Sequence, residues 1–182
     1  MNNPRPAGLP EIHSESWDRL SRYCSVCGIE LVEQFGWGYE GLVYSTVSKS
    51  AIKAFRHREL YENELKVYLR LRDHAVKAAH EFAVPRLISW NDEFLVIEMT
   101  IVSPPFILDF AGAYLDKRPP FDDEQLQEWE EQKMEQFEDR WPIVRSALSF
   151  FKGHGIYLND VKPGNVTFGD EDSWGSDASG RS

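Results

Sequence analysis

Asp160, Lys162 and Asn165 fall close together in the stretch Gly155-Ile156-Tyr157-Leu158-Asn159-Asp160-Val161-Lys162-Pro163-Gly164-Asn165-Val166-Thr167-Phe168. A carboxylate can take the proton of an attacking hydroxyl, an ammonium can neutralise a phosphoryl group, and an amide oxygen can ligate magnesium. Pro163 and Gly164 are turn formers, and apolar residues lie on both sides. Such a composition belongs to a site presented on a turn and not to a core.

Three further groups upstream have chemical potential. Gly36, Gly38 and Gly41 are spaced Gly-x-Gly-x-x-Gly. Glycines at that spacing let the backbone turn sharply and bring bare amides near an anion such as phosphate. The glycines lead into a strand and not into a helix, which argues against a dinucleotide-binding fold. Lys53 interrupts the apolar run Ser50-Ala51-Ile52-Lys53-Ala54-Phe55. Glu64 lies within the apolar arc of a helix bearing Leu60, Tyr61, Leu65, Tyr68 and Leu71, and a carboxylate on a buried face needs a cation. Lys53 is the candidate.

The elements that must position these groups follow from periodicity and punctuation. Residues 1–10 read as a flexible arm, and residues 14–23 as a short helix with Ser14 as its N-cap. Strands are expected at residues 29–35, 42–47 and 50–55. The helix of Glu64 is expected over residues 58–72, continuing irregularly to about His80, with Pro85 preventing further extension. Strands follow at residues 86–90 and 94–99, joined through the turn residues Asn91 and Asp92.

Pro104 and Pro105 mark a boundary, beyond which everything regular up to Gly153 reads as helical. Residues 122–140 form an acidic amphipathic helix with the stripe Leu126, Trp129, Phe137 and Trp141, flanked by Met134. Pro142 opens a last helix that buries Ile143, Val144, Ala147, Leu148 and Phe151 and closes at Gly153 and Gly155. One short strand then precedes an acidic tail, residues 169–182, expected to be disordered. The implied division is 1–28 (arm and short helix), 29–99, 100–168 and the tail.

Composition narrows the function classes. Of 182 residues, 42% are hydrophobic and 13% aromatic, enough for a core, so the net charge of -10 reads as solubility. An acidic chain is poorly suited to sequence-independent nucleic-acid binding. No apolar run is long enough to span a bilayer and the N-terminus lacks the apolar centre of a signal peptide, so a cytoplasmic, membrane-free protein is expected. Cys24 and Cys27 form a lone Cys-x-x-Cys without further matching ligands, and are expected to be buried or merely reduced thiols.

The order of these parts resembles the protein kinases and their kinase-like relatives: glycine loop, strand lysine, helix glutamate, two strands, connector, helices, then Asp-x-Lys-x-x-Asn. The resemblance covers about residues 29–168. It implies an α+β, protein-kinase-like fold, with a five-stranded antiparallel N-lobe sheet and one helix followed by a shortened helical C-lobe. It further implies an ATP-binding phosphotransferase, most simply of the serine/threonine protein kinase type, acting with Mg2+ on a protein or small-molecule acceptor that the sequence does not name.

Gly36, Gly38 and Gly41 would then cover the phosphates, with Val43 and Ala51 over adenine and Ile97 behind it. Lys53 would hold the α- and β-phosphates with Glu64 as its partner, and Glu98 to Thr100 would be the hinge whose backbone meets the adenine edge. Asp160 would be the catalytic base, Lys162 the γ-phosphate contact and Asn165 a magnesium ligand.

Two departures set up the alternative. Leu158-Asn159 stands where the family has His-Arg, and no Asp-Phe-Gly follows Asn165; Asp170, Asp172 and Asp177 are the nearest stand-ins for its metal-binding aspartate. The alternative is a catalytically inactive, pseudokinase-type binding or regulatory module. Small-molecule kinases of the aminoglycoside or sugar type also lack the His-Arg pair, but need the same aspartate.

Overall fold

A computed structural model describes residues 5–107, 110, 112–118, 120–158 and 161–169. The fold is α+β and is built on a five-stranded, wholly antiparallel sheet. Its strands are β1 (Leu31–Trp37), β2 (Gly41–Thr46), β3 (Ser50–Phe55), β6 (Leu87–Asn91) and β7 (Val96–Thr100), in the order β1-β2-β3-β7-β6. The central strand β3 is the expected 50–55 segment, and the flanking strands are displaced from expectation by a residue or two.

Helices cover both faces of this sheet, which is why β3 is apolar in almost every position instead of alternating. On one face α2 (Arg58–Asp73) buries Tyr61, Leu65, Tyr68 and Leu71 against Ala51, Phe55, Ile97 and Met99. On the other, α1 (Ser14–Cys27) packs Trp17, Leu20, Tyr23 and Cys24 against Leu42, Tyr44, Ile52, Ala54 and Val96. Ser16 and Arg19 of α1 also donate to the Phe55 carbonyl at the end of β3.

The N-terminal segment therefore differs from expectation. Helix α1 runs four residues beyond Tyr23 and ends where Gly28 adopts the left-handed conformation (φ 68°). Ser14 is not its N-cap, because a 3-10 turn over Glu11–His13 runs directly into the helix. Residues 5–10 are tied down: Arg5 donates to the Leu9 carbonyl and pairs with Glu11 at 3.0 Å, and Leu9 is buried.

Helix α2 stops at Asp73 and does not reach His80. The chain turns at Ala75 (φ 53°) into two-residue strands, β4 (Ala78–Ala79) and β5 (Phe82–Ala83). Nor is the second half wholly helical. It contains β8 (Phe106–Ile107), β9 (Tyr114–Leu115), α3 (Asp123–Phe137), α4 (Trp141–Gly153), β10 (Ile156–Tyr157) and β11 (Val166–Thr167). Strands β11, β8, β5 and β4 form a small four-stranded sheet in which β5 and β8 run parallel, while β10 pairs antiparallel with β9. Except for the local β4–β5 hairpin, each pairing joins segments far apart in sequence, with no local period to announce it.

Helix α3 begins at a capping box in which Asp122 accepts from the Gln125 amide and Gln125 reaches back to the Asp122 amide. Its expected stripe is only partly buried: Phe137 is, whereas Leu126 and Met134 are exposed and Lys133 takes a buried position beside Trp129. Helix α4 has Pro142 in its first turn as expected, and buries Trp141, Val144, Ala147 and Phe151 but leaves Ile143 exposed.

Candidate functional site

Lys53 occupies the middle of β3, opposite Val43 on β2 and Ile97 on β7. With alternation along the strand it shares the α2 face with Ala51 and Phe55. Its Nζ lies 2.7 Å from Glu64 Oε2 and 2.6 Å from Glu40 Oε2. The Glu64 side chain is 3% exposed, Lys53 12% and Glu40 25%, so the pair is sealed on the helix side and opens on the loop side.

Burial alone would lower the Lys53 pKa and is the largest single influence on it. Glu64, Glu40 and their hydrogen bonds together outweigh that effect and raise it well above the ordinary lysine range, so Lys53 is a fixed cation. The pairing of Lys53 with Glu64 is the one that the burial argument requires.

Above Lys53 the chain makes a tight hairpin. Gly38 N–H donates to the Gly41 carbonyl at 2.9 Å, leaving Tyr39 and Glu40 at the tip. Gly41 is obligatory for packing, since a Cβ there would stand 2.0 Å from the Ala54 carbonyl oxygen. Gly36 and Gly38 are different: a Cβ at either would meet nothing within 4 Å.

These residues line a cleft of about 810 Å³. Gly36, Gly38 and Gly41 form its roof with Val43 and Ala51, and Lys53 and Glu64 lie at its inner wall. Thr100 borders it on the connector side, and Lys162, Gly164 and Asn165 border it from below. Nearly all the expected site residues within the described chain meet there. The exception is Glu98, which lies on the opposite face of β7 and accepts from Ser50 Oγ (2.6 Å) and Ser89 Oγ (2.8 Å).

Strand alternation explains the placement of the Glu98 side chain: Met99, one step along β7, lines the cleft together with Thr100, Ile101 and Val102. Ile97 shares the face of Met99 but is sealed in the core.

The lower wall hangs between two strand pairings. β10 is held by β9 (Tyr157 opposite Tyr114) and β11 by β8 (Val166 opposite Ile107). Between them a 3-10 turn, Pro163–Asn165, is closed by Asn165 N–H donating to the Lys162 carbonyl at 2.8 Å. Asp160 lies outside the described residues, as do Asp170, Asp172 and Asp177.

A further tie fixes the entry to this loop. Arg70 of α2 forms a bidentate pair with Asp116 (2.6 and 2.7 Å), which follows β9. Gly155 (φ 72°) passes so close that a Cβ would lie 2.5 Å from Asp116 Oδ1 and 2.8 Å from Arg70 Nη1.

Sequence reasoning missed Glu40, Tyr68 and Phe106 as cleft residues. For Glu40 a signal exists: it is the lone acid between the loop glycines, just before the strand that pairs with Lys53. Among the described residues no three His, Cys, Asp or Glu side chains assemble as a metal site, Cys24 is buried while Cys27 is exposed, and no helix is long and apolar enough to cross a membrane. Chemically, the cleft offers a fixed cation under a roof of bare glycine backbone, an amide and a second lysine below, and an apolar strip between Val43, Ala51 and Met99. No protein-family model and no curated protein matches this chain.

Proposed function

We propose that the protein is an ATP-binding, protein-kinase-like phosphotransferase, with the nucleotide lying in the cleft beneath residues 36–41. The observation that carries this reading is convergence. Segments around residues 36–43, 51–53, 64, 100 and 162–165, scattered through the sequence, line one cleft of about 810 Å³, a volume within the range of nucleotide-sized sites. Gly36 and Gly38 support it further. The protein's own packing leaves both positions open, so glycine there is best explained by close approach of a ligand to the backbone.

In this reading Val43, Ala51 and Met99 sandwich the adenine, and the backbone of residues 100–102 meets its edge. Lys53, oriented by Glu64, binds phosphate oxygens, and Lys162 approaches the terminal phosphate. Asp160 receives the acceptor's proton. Asn165 is the described residue suited to ligate Mg2+, which when bound would neutralise phosphate charge. Catalysis would consist mainly of positioning and charge stabilisation.

The test is phosphate transfer from labelled ATP with Mg2+, including transfer to the protein itself. Loss of transfer in both Lys53→Ala and Asp160→Asn is expected; activity surviving both would exclude this mechanism. The second reading, a non-catalytic nucleotide-binding module, is favoured by the lack of Asp-Phe-Gly after Asn165 in this chain. It predicts ATP-dependent thermal stabilisation without turnover.

A further inference from the structure

We infer that Glu40 is a built-in counter-anion that competes with an anionic ligand for Lys53, so that its side chain regulates access to the site. This rests on the nucleotide-binding reading of the cleft. Glu40 Oε2 lies 2.6 Å from Lys53 Nζ, on the cleft side of the ammonium, while Glu64 holds it from the helix side at 2.7 Å. A phosphate oxygen seeking Lys53 from the cleft needs the position that the Glu40 carboxylate takes. Two carboxylates on one ammonium also oppose a third anion by charge.

The backbone around Glu40 makes this a side-chain exchange and not a loop opening. Arg56 N–H donates to the Glu40 carbonyl at 2.7 Å, and Arg56 Nη1 donates to the Tyr39 carbonyl at 3.1 Å. The Arg56 guanidinium also lies 5.5 Å from the centre of the Tyr39 ring. The hairpin tip is thus fastened to the end of β3, and rotation of the Glu40 side chain alone frees Lys53. A ligand that needs Lys53 binds only the fraction of molecules in which Glu40 has swung out, and its apparent affinity falls by that fraction.

The test is calorimetric titration of Mg2+-ATP and of inorganic tripolyphosphate into the wild type, Glu40→Gln and Glu40→Ala at fixed ionic strength. Glu40→Gln keeps the shape and removes the charge. Both variants should bind both anions more tightly, by about tenfold, and the gain should vanish when Lys53→Met is added. If the wild type binds and the Glu40 variants bind equally or more weakly, Glu40 is no competitor and this inference falls while the nucleotide reading stands. If neither anion binds any variant, both fall. Thermal melts of each variant establish that the titrated protein is folded.

Discussion

Glu64 is the residue whose environment leaves least room for change. With its side chain 3% exposed and Lys53 paired to it at 2.7 Å, removal of the lysine withdraws the ammonium that faces a buried carboxylate. Lys53→Met should cost about 3 kcal/mol of unfolding free energy in urea. Lys53→Met combined with Glu64→Met should cost less than Lys53→Met alone, because the buried carboxylate that loses its lysine is then removed as well. A double variant less stable than the single would refute that account.

The glycines divide by the same logic. Gly41→Ala drives a Cβ into the Ala54 carbonyl, and Gly155→Ala drives one into the Arg70–Asp116 pair at a φ of 72°. Both should lower the melting temperature, each by at least about 1 kcal/mol in stability. Gly36→Ala and Gly38→Ala meet open space. They should melt like the wild type and yet weaken nucleotide binding, a split that calorimetry alongside thermal melts would reveal.

At the scale of elements, the docking of α1 on the sheet can be read through its thiols. The Cys24 thiol pKa is pushed up to about 12, chiefly by burial and further by Cys27 and Glu98. Cys27, three residues on, is exposed. In native protein at pH 8 a disulfide reagent should modify one thiol rapidly and the second only after denaturant is added. Rapid reaction of both would mean that α1 does not cover Cys24. Strand β3, helix α2 and the Lys53–Glu64 pairing were legible in the sequence because a strand period, a helix period and a misplaced charge pointed the same way.

The cover provided by α1 was not legible, since its apolar stripe could not say which surface it meets. The two-residue strands β4, β5 and β8 to β11 escaped for another reason: they are too short to have a period of their own, and apart from the β4–β5 hairpin they are defined by partners distant in sequence. The direction of the Glu98 side chain was not read from the sequence, because strand position was read without strand face, and the pleat turns it away from the cleft toward Ser50 and Ser89.

For the molecule as a whole, the shifted groups predict a stability that declines at both ends of the pH scale. His13 is fully buried with neither ring nitrogen hydrogen-bonded, and burial, then Arg56, lowers its pKa below 6.5. The unfolded chain takes up that proton first, so stability is lost as pH falls below 6.5 and through the folded value. At the alkaline end Cys24, Tyr23, Tyr44 and Tyr61 are all raised, with burial the leading cause. Their unfolded forms ionise first, from about pH 9 upward. Lys53 acts in the same sense: its stabilisation is complete below 10.5 and is lost as pH rises toward its elevated folded value. Melting temperature measured from pH 5 to 11 should form a dome with both limbs falling, and a flat alkaline limb would contradict these assignments.

Helix α2 presents Glu64 to Lys53 on one side and Arg70 to Asp116, against Gly155, on another. A roll of this single rod about its axis would therefore shift the Lys53 pairing and the chain at Gly155 together, like two hands on one shaft.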